Sequence, residues 1–425
     1  MNTAADLKER RVLAVVTNPL GGIRTYMLYN FRPLQEAGYR FTFLAPAGEA
    51  FATFRRDVAD WDGVEFVDVP AKGRKFSFVR AVRRELRRRR YALIHSQGLR
   101  AGTQACLANL GIGVPHAITL HDVIVPGNDI PGRFKWLKKR LIGRLTSRAD
   151  VIIPVSHDCA ANHLEHFPEW KRGKCRIEVI PNGVDVAKLE EAAAAVTNRR
   201  ELRENLGLSD DVLLLGFFGR FMPQKNFLLL LDALTQLANE GYHESIHLVA
   251  VDDRNGYAHY RTEARRPDLR GMVTLVDPVP NVATYLCQID ALVMPSQWEA
   301  CPLLPMEAMV LGVPVIASDC IGLREVLDGA PMVLTSSSEM GSLAHGVLKM
   351  RQERETLRGA CGDYRHKARE RFDIAASAKT LRMMCDRFLN TSAKECGSAA
   401  EVGEEPDAVT PECLAEPGHR EEGCI

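Results

Sequence analysis

Glu299 and Glu307 bracket seven residues that include Pro302 and Pro305, and an apolar run then continues to a stop at Gly312 and Pro314. A proline at 305 suits the first turn of a helix, where a missing N–H costs nothing. The N-terminus of such a helix offers free amides and the positive end of a dipole worth roughly half a charge, which is a seat for phosphate. Glu307, read as lying in the first turn, could accept a hydrogen bond from a neighbouring hydroxyl. The plainer alternative gives Glu307 to capping of its own helix and Glu299 to solvent, and spacing alone does not separate the two. Arg220 and Lys225 share another loop, Gly219 to Asn226. Two fixed cations beyond a strand end supply what a diphosphate needs, one as a planar fork and one as a point charge, although in isolation they also read as surface charges.

These residues need a scaffold that delivers loops to one place. Arg11 to Thr17 is a β-branched run followed by Asn18-Pro19-Leu20-Gly21-Gly22 and an amphipathic stretch from Ile23 to Leu34. Strand, glycine turn and helix open a nucleotide-binding α/β unit, without the G-x-G-x-x-G of a dinucleotide site. Apolar runs recur at 41–44, 64–69, 92–95, 117–120 and 151–155, then at 212–218, 246–251, 273–276, 291–294 and 313–317, with helical patterns between them. The alternation predicts α/β architecture, with parallel sheets wound with helices on both faces. His95-Ser96 and His121-Asp122 fall at strand ends, where ligands of such sheets sit. His121 is the stronger candidate, because Asp122 and Gly127 mark its loop.

At 425 residues the chain exceeds one typical core, and the Ala-rich, charged segment 187–207 reads as the linker between two domains. Apolar content of 46% with 26% charged residues is that of a soluble globular protein, and no apolar run reaches the roughly 18 residues of a membrane span. The expected location is the cytoplasm. Eleven scattered cysteines read as reduced thiols, with no disulfide or zinc framework, and the adjacent Asp252-Asp253 reads as a solvated turn rather than a metal site. The tail from Ser392 carries nine acidic residues against Lys394 and Arg420, so the net charge of +1 conceals a body near +8. A basic body fits an anionic ligand or surface.

Two helical stretches concentrate that charge. Phe78, Val79, Val82 and Leu86 form an apolar stripe among arginines 80, 83, 84 and 87–90, and Phe134, Leu137, Leu141 and Leu145 form another among Lys135, Lys138, Lys139, Arg140 and Arg144. Each reads equally as a helix lying on anionic lipid, peripheral to the inner membrane face, or as a core stripe with a solvated basic face. No stacking aromatics or recognised motif accompany the charge, so nucleic acid is not an expected partner.

Taken together, Gly21-Gly22, His121-Asp122, Val155-Ser156, Pro181-Asn182-Gly183-Val184-Asp185, Gly219-Arg220 with Lys225, and the segment from Glu299 to Glu307 occur in an order that resembles family 4 of the retaining glycosyltransferases. The resemblance spans roughly residues 10–390. It implies a GT-B fold of two facing Rossmann-like, doubly wound parallel-sheet domains. Residues 1–190 would form the acceptor domain, joined by a C-terminal helix at 374–390 that crosses back, and 208–373 the donor domain. Residues 391–425, an acidic tail, are expected to be disordered.

The resemblance also implies roles. Arg220 and Lys225 would be the donor-diphosphate cations, Glu299 would meet hydroxyls of the donor sugar, and Glu307 the ribose. The amides near Leu303 and Leu304 would contact phosphate, Gly21 and Gly22 would close over the donor, and His121 would lie near the transferred sugar. The implied reaction moves a sugar from a nucleotide-diphosphate sugar to a glycan or lipid-linked acceptor with retention, with no metal and no cofactor beyond the donor substrate. Two departures stand out: Ala300-Cys301-Pro302 replaces the usual Gly-Phe-Gly, and Asp252-Asp253-Arg254-Asn255-Gly256 replaces a glycine-rich turn. The rival readings are a GT-B sugar-nucleotide epimerase and a catalytically silent nucleotide-sugar-binding protein.

Overall fold

The computed structural model describes residues 10–70, 76–252, 258–279 and 281–397. The first seven strands are β1 (Arg11–Val16), β2 (Arg40–Pro46), β3 (Val64–Val69), β4 (Leu93–Gln97), β5 (His116–Leu120), β6 (Val151–Pro154) and β7 (Arg176–Ile177). They form one parallel sheet in the order β3-β2-β1-β4-β5-β6-β7. The central strands are buried throughout, as a sheet covered on both faces requires. Val12 pairs with Phe41 on one side and Leu93 on the other, so the winding direction reverses between β1 and β4.

The second sheet repeats the plan with β8 (Leu213–Phe217), β9 (Ile246–Val251), β10 (Val273–Val276), β11 (Ala291–Met294), β12 (Val315–Ser318) and β13 (Met332–Thr335). Its order, β10-β9-β8-β11-β12-β13, reverses between β8 and β11. Open parallel sheets bind ligands outside the carboxyl ends of strands at such a reversal, so two crevices are fixed by topology alone.

Two differences from the sequence expectations have clear physical origins. His95 lies inside β4, fully buried with Nε2 2.8 Å from Thr119 Oγ1, and is therefore a core residue rather than a loop one. The segment between the sheets that reads as a linker carries two helices, Val186–Ala194 and Glu201–Asn205, the second held by the Arg203–Asp290 ion pair, in which both side chains are buried. The last helix runs Ile374–Gly397, so residues 391–397 are helical rather than part of a disordered tail, and 398–425 lie outside the described residues.

That last helix belongs to the first domain. Leu381, Met384, Cys385 and Phe388 join Met27, Phe31 and Leu34 in one core cluster. Tyr39 donates to Asp386 at 2.7 Å, and Ser377 donates to the Pro181 carbonyl at 2.6 Å. The chain crosses back beside Gly183, where Val184 N–H donates to Phe372 O and Ile374 N–H to Val184 O. A Cβ on Gly183 would lie 2.8 Å from Ile374 Cα, so glycine is demanded here by close backbone approach rather than by turn geometry.

Candidate active site

A cleft of about 1410 Å³ lies between the two sheets and is lined from both sides, by Gly21, Gly22 and His121 of the first domain and by Arg220, Lys225, Glu299 and Glu307 of the second. Leu303 and Leu304 line it too. These nine candidates therefore line one space, while His95, buried inside β4, does not.

The second domain builds its share from two loops. After β8 the chain passes Gly219 and Arg220, makes a short turn at Pro223–Lys225, and enters the helix Phe227–Asn239 through Asn226 in the left-handed region, with φ 57°. After β11 come Ser296 to Glu299. The Gln297 N–H donates to Gln224 O at 2.8 Å, and the Gln224 side chain donates to Trp298 O at 2.8 Å. These bonds fasten together loops separated by more than seventy residues of chain, and so set Lys225 Nζ 2.5 Å from Glu299 Oε1. Ser296 Oγ donates to the same carboxylate oxygen at 2.7 Å. Glu299 is buried, and a buried carboxylate needs partners of this kind.

Arg220 differs: it is exposed and makes no hydrogen bond or ion pair among the described residues. A Cβ on Gly21, whose φ is +53°, would come 3.8 Å from Arg220 Cζ. The glycine turn after β1 thus stands directly against this guanidinium.

The helix Leu303–Leu311 has Pro302 as its N-cap with no side-chain cap, leaving its first amides without side-chain partners. It ends at Gly312 with φ 75°, as the Gly-Pro signal predicts. Glu307 is its fifth residue, which corrects the first-turn placement and leaves the capping alternative without support. The carboxyl is half-buried, has no hydrogen-bond partner among the described residues, and burial raises its pKa to about 7. Tyr29, on the helix Gly21–Glu36 of the first domain, senses it: burial, then the charges of Glu307 and Asp185, push the phenol to about 12.

His121 follows β5. Its Nε2 lies 2.8 Å from Gln97 Oε1, and its ring packs edge-on against Tyr26 with centroids 4.7 Å apart. Burial, with His95 behind it, lowers its pKa to about 3, so the imidazole is neutral. With Gln97 Oε1 as acceptor, Nε2 carries the hydrogen and Nδ1 is an acceptor. Burial raises the neighbouring Asp122 carboxyl, and the charge of Glu299 adds to this while Lys225 opposes it.

The sequence did not disclose a set of bonds that joins the two domains behind the cleft. Ser156 Oγ donates to Ala300 O at 2.6 Å, and Asn182 Nδ2 donates to Cys301 O at 2.8 Å. Glu325 accepts from the amides of His157 and Asp158 at 2.9 and 2.7 Å, and Asp158 in turn accepts from Gly322 N–H at 2.8 Å. Gly322, with φ +80°, lies so close that a Cβ would meet Glu299 O at 2.3 Å. Ala300 and Cys301 share an apolar cluster with Val155 and Cys159 of the first domain. The Ala-Cys-Pro departure is thus a loop packed under the opposite domain. The motifs Val155-Ser156 and Pro181 to Asp185 were visible in sequence, but their cross-domain partners were not.

Comparison with known proteins agrees with this geometry. Residues 20–188 match the family model described as Glycosyltransferase Family 4, and residues 198–369 the one described as Glycosyl transferases group 1. The D-inositol 3-phosphate glycosyltransferase of Geodermatophilus obscurus is 27% identical over 395 residues, covering 84% of this chain and 85% of that protein. The UDP-Gal:alpha-D-GlcNAc-diphosphoundecaprenol alpha-1,3-galactosyltransferase of Escherichia coli is 26% identical over 276 residues, or 61% and 68% of the two chains. Among solved structures, Anabaena HepE in complex with UDP and glucose superposes with a TM-score of 0.72 at 20% identity, covering 89% of this chain and all of that one.

Proposed function

The chain belongs to glycosyltransferase family 4, the glycosyl transferases group 1, with a GT-B fold, and from that premise we propose that it transfers a hexose from a nucleotide-diphosphate sugar with retention of anomeric configuration. The observation that carries the reading is the convergence of Arg220, Lys225 and the uncapped helix start at Leu303 on the cleft between two strand-order reversals. Departure of a nucleoside diphosphate leaves negative charge, and fixed donors aimed at developing charge are usually the largest catalytic contribution. Arg220 is available as a bidentate donor to one phosphate. Lys225 would turn from Glu299 toward the other, or bridge both. The helix amides at Leu303 and Leu304 complete the anion seat, so the role often given to a metal is assigned to protein groups.

On the same reading Glu299, held by Ser296 and released by Lys225, receives sugar hydroxyls, and Glu307 receives the ribose. Neutral His121, held through Gln97, takes a place near the transferred sugar. Attack from the face of the leaving group, with the departing phosphate accepting the acceptor's proton, gives retention without a carboxylate nucleophile. Gly21, lying against Arg220, and Gly22 after it cover the donor and exclude water. The acceptor is a glycan or lipid-linked sugar handled at the cytoplasmic membrane face during polysaccharide synthesis, a reading supported by the diphosphoundecaprenol-linked acceptor named for the E. coli relative.

The test is transfer from a panel of nucleotide sugars by the wild type and by Lys225→Ala. Loss of about 10²- to 10³-fold in turnover is expected on removing one such donor. Unchanged turnover removes the diphosphate role, and release of an altered sugar nucleotide without acceptor marks an epimerase instead.

A further inference from the structure

The two basic helices meet opposite fates. In Ser77–Arg88 the stripe of Phe78, Val82 and Leu86 is buried, which makes that helix an ordinary core element with a solvated basic face. In Lys135–Thr146 only Gly143 and Thr146 are buried. Phe134 is 59% exposed, Trp136 63%, Leu137 50% and Leu141 65%. Large apolar side chains concentrated at this density on one surface mark an interaction site rather than scattered exposure.

We propose that this helix docks the protein on an anionic phospholipid bilayer, with Phe134, Leu137 and Leu141 entering the acyl boundary and the adjoining cations meeting lipid phosphates. Leu137 and Leu141 are one turn apart, and Phe134 precedes Leu137 by three residues, so the three share one edge of the helix. Lys138 lies on one flank of that edge, and Arg140 and Arg144, themselves one turn apart, lie on the other. Arg140 and Arg144 make no ion pair among the described residues, so their charge is uncommitted. Trp136 sits one turn before Arg140, an aromatic beside a cation at the level of the headgroups. An apolar edge bordered by cations on both sides is what an interfacial helix presents to anionic lipid. A second copy of the chain fits the same face poorly, because pairing it with itself would bring like-charged arginines and lysines together.

The location gives the docking a use, and this part alone rests on the transferase reading. Ile130 and Pro131, just before the helix, and Ile142 within it line the cleft. The docked face is therefore continuous with the first-domain wall of the cleft, and an acceptor anchored in the bilayer reaches the donor without leaving the membrane plane.

The experiment uses the full chain with vesicles of phosphatidylcholine, with and without phosphatidylglycerol, at low and high salt, scored by co-sedimentation. Binding is expected only with phosphatidylglycerol and is expected to weaken with salt. Leu137→Glu with Leu141→Glu, and separately Arg140→Glu with Arg144→Glu, should each lower vesicle affinity at least about tenfold, while UDP binding stays within about twofold of wild type. These positions are on the surface, so the fold is retained, and unchanged UDP binding verifies it. Indifference of the wild type to anionic vesicles at low salt overturns the proposal, as does wild-type binding by both double variants. A dimer in solution that Leu141→Glu dissolves assigns the face to a second copy and overturns it too. Vesicle binding is scored without turnover, so failure of docking leaves the transfer reading standing, and failure of transfer leaves docking standing.

Discussion

Glu307→Gln should stabilise the empty protein and weaken its hold on nucleotide, two effects of opposite sign from one atom change. Burial raises the Glu307 carboxyl from its ordinary 4.5 to about 7. A carboxyl that keeps its proton longer in the folded state makes stability fall as pH rises, because the unfolded chain releases the proton first. The penalty is absent below about pH 4.5, grows through the interval, and is complete above about pH 7. Raising the carboxyl from 4.5 to about 7 corresponds to roughly 3 kcal/mol, and partial exposure of the side chain reduces this to about 2–3 kcal/mol. Glutamine keeps a neutral group of the same shape at every pH. The stability difference between variant and wild type should therefore move by about 2–3 kcal/mol in favour of the variant between about pH 4.5 and 8. In unfolding temperature that is on the order of 5 °C. On the transferase reading UDP should narrow the gap without closing it: ribose hydroxyls donating to a carboxylate form charge-assisted bonds stronger by about 1 kcal/mol than those to an amide, so the variant should bind about five- to tenfold more weakly near pH 8. The measurements are thermal unfolding across pH with and without UDP, and calorimetric titration with UDP. Parallel pH curves for the two proteins would refute the burial argument, and equal UDP affinity would refute the ribose contact.

Other consequences follow from the same geometry. Gly322→Ala forces a Cβ onto Glu299 O from a backbone at φ +80°, so transfer should fall at least about tenfold, and an unimpaired variant would show that Glu299 need not be held there. Ser156→Ala combined with Asn182→Ala removes two cross-domain bonds worth about 1 kcal/mol each and the Ser156 cap that accepts from Cys159 N–H, so solution scattering should report a larger radius of gyration and the unfolding temperature should fall by roughly 5 °C. His95, His116 and His121 are held near pKa 3 by burial, so stability present above their unfolded value of about 6.5 is lost as pH falls toward 3, at up to about 4 kcal/mol per pH unit for the three together. Glu307 offsets part of this loss in the upper portion of the window. Stability that stays level from about pH 7 to 5 would contradict the neutral, buried assignment.

The sheets were readable because parallel strands buried on both faces must be unbroken apolar runs, as in Val12 to Val16 and Ala291 to Met294. β7, with two residues, is too short to give that signal. The site candidates were readable because each follows a strand at or near a reversal of winding. The cross-domain bonds were not, since Ser156 and Ala300 are 144 residues apart and no local pattern encodes their meeting. Gly183 shows the limit within a correct motif: Asn182-Gly183 reads as a turn, whereas the glycine is required by Ile374, which lies beyond the whole second domain in the chain. The opposite fates of the two basic helices were equally hidden, because both carry the same apolar spacing and only the packing decides which stripe is covered.

The crossing-back helix also fixes the order of events on the ribosome. The segment carrying Leu381, Met384, Cys385 and Phe388 is translated after both sheets, yet it fills the core of the domain that emerged first. Until then the seat beside Met27, Phe31 and Leu34 lacks its cover, while the second domain can collapse from a nearly contiguous stretch of chain. The nascent first domain is therefore the aggregation-sensitive one, and it remains so until synthesis is almost finished. A message truncated anywhere before Ile374 yields an uncovered first domain even when every strand of both sheets has been made.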